Sequence, residues 1–177
     1  MILDKTTERL PIVLSTDDGT VLKIQHISAN HFSCLDSFIR SLSFSTRYFR
    51  FGSGDFNPSV DDVLRECNPD PHECVHLLVT VDENDQERII GSARYVIQSN
   101  ACCEFAIAVT DSWKHHGVGH LLMHNLIESA KSRGINEIYG RILGSNLGMI
   151  DFVRGCGFEI MNSSEGSWLK IATLSLH

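Results

Sequence analysis

The chain has 177 residues, of which 42% are hydrophobic and 21% charged, and its formal net charge is -7. That length fits one domain with a substantial core, and the balance excludes a disordered chain. The acidity excludes a general nucleic-acid binder, which needs a basic footprint; it suits a cationic acceptor such as an amine or a lysine side chain, but only through steering.

Met1 to Arg9 carries mixed charge, with no basic segment leading into an apolar run, and no stretch is apolar enough to cross a bilayer. The six cysteines, Cys34, Cys67, Cys74, Cys102, Cys103 and Cys156, form no C-x-x-C pair. Cys102 and Cys103 are adjacent, so on a strand they face opposite ways. The expectation is a soluble, cytoplasmic protein with reduced thiols.

Leu10 to Leu14, the turn signal Asp17-Asp18-Gly19, and the alternating run Val21 to Ile27 predict a hairpin. Phe32, Leu35, Phe38, Ile39 and Leu42 recur at helical spacing within Asn30 to Leu42. Ser43 to Pro58 reads as a polar-aromatic connector. A short helix over Ser59 to Cys67 follows, capped by Ser59, with Asp61 and Asp62 in its first turn. Val75 to Val81, Arg88 to Gln98 and Cys103 to Val109 are strand-like runs joined by Asp82-Glu83-Asn84-Asp85 and Ser99-Asn100-Ala101, which predicts an antiparallel meander. A strongly periodic helix spans Gly117 to Arg133 and stops at Gly134. Glu137 to Leu143 is a strand, Ser145 or Asn146 caps a helix to about Arg154, and Phe158 to Met161 and Trp168 to Leu174 close the chain as strands. The fold class is therefore α+β, with one helix crossing between two strands of the same sheet.

The chemistry concentrates between Cys102 and Phe158. Gly117 and Gly119 stand where the long helix begins. Glycine allows a sharp turn and a close approach of phosphate to the amides, and a helix's first turn offers free N–H groups and partial positive charge. Lys114, and His115 or His116 when protonated, add charge. A bare G-x-G also fits a tight turn with no ligand. A dinucleotide-binding fold is excluded, because the third glycine is missing and the preceding strands read antiparallel.

Ala106-Ile107-Ala108-Val109, the loop Lys114-x-x-Gly117-x-Gly119, the amphipathic helix after it, Asn146-x-x-Met149 and Gly157-Phe158 resemble the GNAT superfamily of acyl-CoA-dependent N-acyltransferases. Lys114 stands where the family pattern has Arg or Gln. The segment Leu42 to Phe51 and Cys103-Glu104-Phe105-Ala106-Ile107-Ala108-Val109 further resemble the catalytic domain of bacterial Pat-type protein lysine acetyltransferases.

The resemblance implies a single GNAT domain over residues 1–177, with a mixed, mostly antiparallel sheet flanked by helices and two central strands splayed around acyl-CoA. Its cofactor is acetyl-CoA, as co-substrate, with no metal. The pantetheine would pair with Ile107, Ala108 and Val109. The pyrophosphate would rest on Lys114, His115, His116, Gly117, Val118, Gly119 and His120, and Asn146 would touch the pantetheine arm. Glu104 is the implied general base; by spacing alone it reads equally as an exposed carboxylate on the face shared with Ala106 and Ala108. Many members place a tyrosine acid where this chain has Val153. The implied acceptor is a primary amine, a protein lysine first, with a polyamine, amino acid or antibiotic as the alternative; a non-catalytic acyl-CoA-binding module is a third reading. Neither nucleic acid nor membrane is an expected partner, and the chain could be a monomer or homodimer.

His116, His120 and His124 recur every four residues, and Cys67, His72, Cys74 and His76 cluster. Both groups read better as a solvated helix face and a loop entering a buried strand than as metal sites. Arg47, Tyr48, Arg50 and Phe51 are candidates for an acceptor-site wall.

Overall fold

The apolar alternation resolves into eight strands of one sheet, in the order β1-β2-β3-β4-β5-β6-β8-β7, in a computed structural model that describes residues 10–99 and 101–176. The expectations for Met1 to Arg9 and for Asn100 lie outside the described residues. The opening hairpin is β1 (Ile12–Ser15) and β2 (Val21–His26). Its turn is held by the Asp18 carboxylate, which accepts from the Thr20 amide at 3.0 Å.

The meander is β3 (Cys74–Glu83), β4 (Gln86–Ser99) and β5 (Cys102–Val109). β3 and β4 are longer than their apolar runs. The turn expected to take four residues takes two: Asn84 and Asp85 have φ of 53° and 61°, and Glu83 already pairs with Gln86. Such left-handed pairs match strand twist in two-residue hairpins, so charged Asp82 and Glu83 continue the ladder.

Five α-helices cover the sheet: α1 (Phe32–Ser41), α2 (Phe44–Phe51), α3 (Val60–Cys67), α4 (Val118–Ser132) and α5 (Leu147–Gly155). α2 corrects the expectation of an unstructured connector. Ser43 caps it by accepting from the Thr46 amide at 3.3 Å, and Gly52, at φ 81°, ends it. It escapes the periodicity rule because it buries no residue fully and leaves Phe44, Tyr48 and Phe49 exposed.

The two faces of the sheet carry separate apolar clusters. Leu122, Met123, Leu126 and Ala130 of α4 and Val153 of α5 pack on Cys103, Phe105 and Ile107. Leu35, Phe38 and Ile39 of α1 and Val63 of α3 pack with Leu78, Ile89 and Ala108 on the other side. The alternation of β5 is therefore as expected, with Glu104 on the second face. α4 carries the chain from β5 to β6 (Glu137–Leu143), which pairs parallel to β5. β7 (Glu159–Ser163) and β8 (Gly166–Ser175) complete the sheet, with β8 between β6 and β7.

The β5–β6 pairing is short. It joins Cys102 to Glu137, Cys103 to Ile138 and Glu104 to Tyr139, and stops there. β5 continues to Val109 paired only with β4, while β6 continues to Leu143 paired only with β8. The Phe105 ring lies over Gly140 where the strands part; a Cβ there would meet it at 2.4 Å. From that point one edge of β5 has no neighbouring strand.

Candidate active site

The gap between the strands opens into a cavity of about 950 Å³. One wall is Glu104 to Val109 of β5; another is Arg141, Ile142 and Leu143 of β6. The floor and ends come from Thr46, Phe49 and Arg50 of α2, the loop before α4, and Asn146, Met149 and Phe152 at α5. Of the residues expected to bind the donor, Ile107, Ala108, Val109, Lys114, His115, Gly117, Gly119, His120 and Asn146 all line this cavity.

His116 and Val118 do not line it. The His116 ring packs edge-on against Trp113 at 5.7 Å, and its Nδ1 lies 2.8 Å from the Lys114 carbonyl. Val118 is buried beneath α4, beside Gly91. Its side chain belongs to the core, although its amide is in the helix's first turn.

His115 and Gly117 have φ of 64° and 82°, which curls the loop into α4. The first intrahelical bond runs from the Leu121 amide to the Gly117 carbonyl at 3.0 Å. The amides of Val118, Gly119 and His120 precede it, so they are free to meet an anion. Gly119 has a second role that its motif does not reveal: a Cβ there would lie 3.2 Å from the Phe152 ring, so its absence lets α5 approach α4.

Lys114 points its ammonium at the Asp111 carboxylate and at the Thr46 hydroxyl, 2.9 Å away. Asp111 also accepts from the Ser43 amide at 3.2 Å. Burial alone would raise the Asp111 pKa, but the bonds from Lys114 and Ser43 outweigh it and hold the carboxyl below its ordinary value. Part of the Lys114 charge is thus engaged in tying α2 to the loop.

Asn146 caps α5, its Oδ1 accepting from the Met149 amide at 3.2 Å. Its side-chain N–H groups remain available at the cavity wall. Val153 is fully buried in the core, so no proton donor stands there.

Glu104 is half-buried at the apex where β5 and β6 separate. The Tyr139 hydroxyl, from the strand opposite, donates to its Oε2 at 3.4 Å. Burial, then the charge of Glu104, pushes the Tyr139 pKa up, so the phenol stays protonated and able to donate. Tyr139 is a site residue that sequence reasoning missed, as is Arg94, which lines the cavity. The only signal for Tyr139 was its alternation with core residues Ile138 and Ile142, which places it on the face of Glu104 once the register is known.

Of the proposed acceptor wall, only Arg50 lines the cavity. Arg47 turns back to the Phe56 carbonyl at 3.4 Å, and Phe51 stacks on Phe56 with centroids 4.4 Å apart. Among the described residues no group of three or more His, Cys, Asp or Glu is arranged to hold a metal. Cys67 is core, and the His76 Nε2 pairs with the Ser92 hydroxyl at 2.8 Å.

A cleft with one unpaired strand edge, an amide-lined helix start and a carboxylate at its apex defines an acyl-CoA-dependent N-acetyltransferase. The comparisons with known proteins agree. Residues 39–158 match the model of the acetyltransferase (GNAT) family, and the chain belongs to that family. It is 28% identical over 171 residues to an acetyltransferase of Pseudomonas aeruginosa, spanning 93% of this chain and 89% of that one. Its fold is similar to the GNAT domain of S. lividans PAT, with a TM-score of 0.82 at 22% identity, covering 94% of this chain and 97% of that one. It is also similar to yncA, an acetyltransferase from Salmonella typhimurium determined with its cofactor acetyl-CoA, with a TM-score of 0.66 at 16% identity, covering 88% and 94%.

Proposed function

We propose that the chain transfers the acetyl group of acetyl-CoA directly to a primary amine, with Glu104 as general base. The observation that carries this reading is the placement of Glu104 at the apex of the cavity whose wall is the unpaired edge of β5. Acetyl-CoA supplies the activated acetyl group: the C–N bond to the amine forms as the C–S bond breaks, and the sulfur departs with the bonding pair.

A lysine-type amine has a pKa near about 10.4 and arrives as the ammonium. Glu104 takes its proton, directly or through one water, which frees the nitrogen lone pair. Tyr139 holds the carboxylate in place by donating to Oε2. The edge of β5 beyond Glu104 offers backbone groups to the pantetheine amides, and the start of α4 offers free N–H groups to the pyrophosphate. With Val153 in the core, the thiolate leaves without a side-chain acid at that position.

Similarity to the S. lividans PAT domain supports the finer reading of a Pat-type enzyme acting on a protein lysine. The cysteines support a cytoplasmic location, since all six are free thiols.

Glu104→Gln tests the reaction. Turnover of acetyl-CoA on a reactive amine falls by about 10²- to 10⁴-fold, while calorimetric affinity for acetyl-CoA stays within twofold. Unchanged turnover removes Glu104 as the base. Tight acetyl-CoA binding by the wild type with no turnover on any amine would instead support an acyl-CoA-binding module.

A further inference from the structure

One cation of the cavity lacks an ion-pair partner among the described residues. Four permanently charged cations line the cavity: Arg50, Arg94, Lys114 and Arg141. Three have acidic partners. Arg94 pairs with Glu66, Lys114 with Asp111, and Arg141 Nη2 lies 2.7 Å from Glu165 Oε1. Arg50, alone of the four, has no ion-pair partner and donates no hydrogen bond among the described residues. Its Cζ sits 4.8 Å above the Phe51 ring.

Burial pulls the Arg50 guanidinium down to about 10, the charge of Arg94 adds to the pull, and Glu66 opposes it. It therefore remains a cation near neutrality. His76 adds no charge, because burial, reinforced by Arg94 and Arg50, lowers it to about 3. Arg50, Arg94 and Glu66 together thus carry a net charge of +1, and Glu104 is, among the described residues, the one carboxylate lining the cavity that could face it. A partly buried cation without a partner is costly to keep, and this one faces the cavity.

The sheet fixes the position of Arg94 relative to Glu104. Arg94 of β4 lies opposite Ala106, and Val96 lies opposite Glu104, all on one face. Two residues along a strand span about 6.7 Å. Arg94 and the base are therefore neighbours on one wall, and Arg50, close enough to feel the charges of Arg94 and Glu66, lines the same cavity.

We infer that the acceptor is a primary amine carrying its own carboxylate, the ammonium being received at Glu104 and the carboxylate at Arg50 beside Arg94. This rests on the acetyl-transfer reading above and narrows its acceptor. The carboxylate belongs either to a free amino acid or to an acidic residue flanking a peptide lysine.

The test is acetyl-CoA-dependent thiol release on matched acceptor pairs. Free amines are lysine against cadaverine, β-alanine against ethylamine and 4-aminobutyrate against propylamine; peptides are Gly-Asp-Lys-Gly against Gly-Asn-Lys-Gly, each N-acetylated and C-amidated. The expected result is a kcat/KM at least tenfold higher for the carboxylate-bearing member of at least one pair, with the free amines or the peptides showing which source applies. Arg50→Gln should erase that preference through KM, and Arg50→Lys should restore part of it. A thermal melt with acetyl-CoA shows that each variant is folded. Equal rates within every pair, or an unchanged preference in Arg50→Gln, overturn the inference and leave acetyl transfer standing. Absence of turnover on every pair, in protein that binds acetyl-CoA, overturns both.

Discussion

Gly117 and Gly119 are two residues apart in one motif, yet the structure gives them different reasons to lack a side chain, and alanine separates them. At Gly117 a methyl group meets nothing within 4 Å, but φ is 82°. The left-handed conformation costs an ordinary residue about 1–2 kcal/mol, offset by about 0.4–1 kcal/mol from a stiffer unfolded chain. The net loss is about 1 kcal/mol, or about 2–4 °C in Tm for a domain of this size. If the loop relaxes instead, it carries the free amides away from the anion, and a helix-terminus interaction of about 0.3–2 kcal/mol is lost. Acetyl-CoA affinity would then fall by about 2- to 30-fold. At Gly119 the backbone is ordinary helix, where alanine gains about 0.5–1 kcal/mol, and the methyl group presses on Phe152 at 3.2 Å. Phe152 lines the cavity and has room to yield. Gly119→Ala should therefore keep its Tm within about 2 °C of the parent and lose donor affinity through the displaced ring. Differential scanning calorimetry and titration calorimetry with acetyl-CoA read both effects. A Gly117→Ala protein that melts and binds as the parent does would refute the argument from φ, and a Gly119→Ala protein that binds normally would refute the packing role.

Tyr139→Phe removes a long, partly buried hydrogen bond at 3.4 Å. A typical bond contributes about 1 kcal/mol, so kcat should fall by no more than about tenfold, with the KM for acetyl-CoA unchanged; a loss as large as that of Glu104→Gln would make Tyr139 a participant in proton transfer. His76 gives a pH dependence. Folded, burial lowers it from 6.5 to about 3, so between those values the unfolded chain binds the extra proton, and stability falls as pH drops below 6.5. At pH 5 the loss from this group is about 2 kcal/mol. Urea melts at pH 7 and pH 5 should show it in the parent and not in His76→Gln, which can still reach Ser92; parallel losses in both would assign the effect elsewhere.

That the residues assigned to the donor share one surface was legible because their requirements are local. A glycine at a helix start, a strand before it and an asparagine cap after the next strand are sequence neighbours, and the structure brings Ile107, Ala108, Val109, Lys114, His115, Gly117, Gly119, His120 and Asn146 onto one cavity, leaving out His116 and Val118. The acceptor half was not, because it is assembled across the sheet. Tyr139 reaches Glu104 only through a three-residue parallel pairing 35 positions away in the chain. Arg94 looks like any polar residue of a half-buried strand until the register sets it opposite Ala106. α2 was hidden for another reason: it leaves Phe44, Tyr48 and Phe49 exposed, so no apolar stripe marked it. Arg50 was among the candidates for an acceptor wall, but only the helix separates it from Arg47 and Phe51, which turn away from the cavity.

The early parting of β5 and β6 also bears on how the molecule must be loaded. An open strand edge ordinarily invites pairing with another chain. Here that edge lies inside a cleft, out of reach of a neighbouring sheet but accessible to a thin arm bearing amides. On the acetyl-transfer reading proposed above, the donor would act as an added strand, and until it arrives the acceptor's chamber would lack one of its walls. Binding should accordingly be sequential, donor before acceptor, with the sheet itself keeping the order.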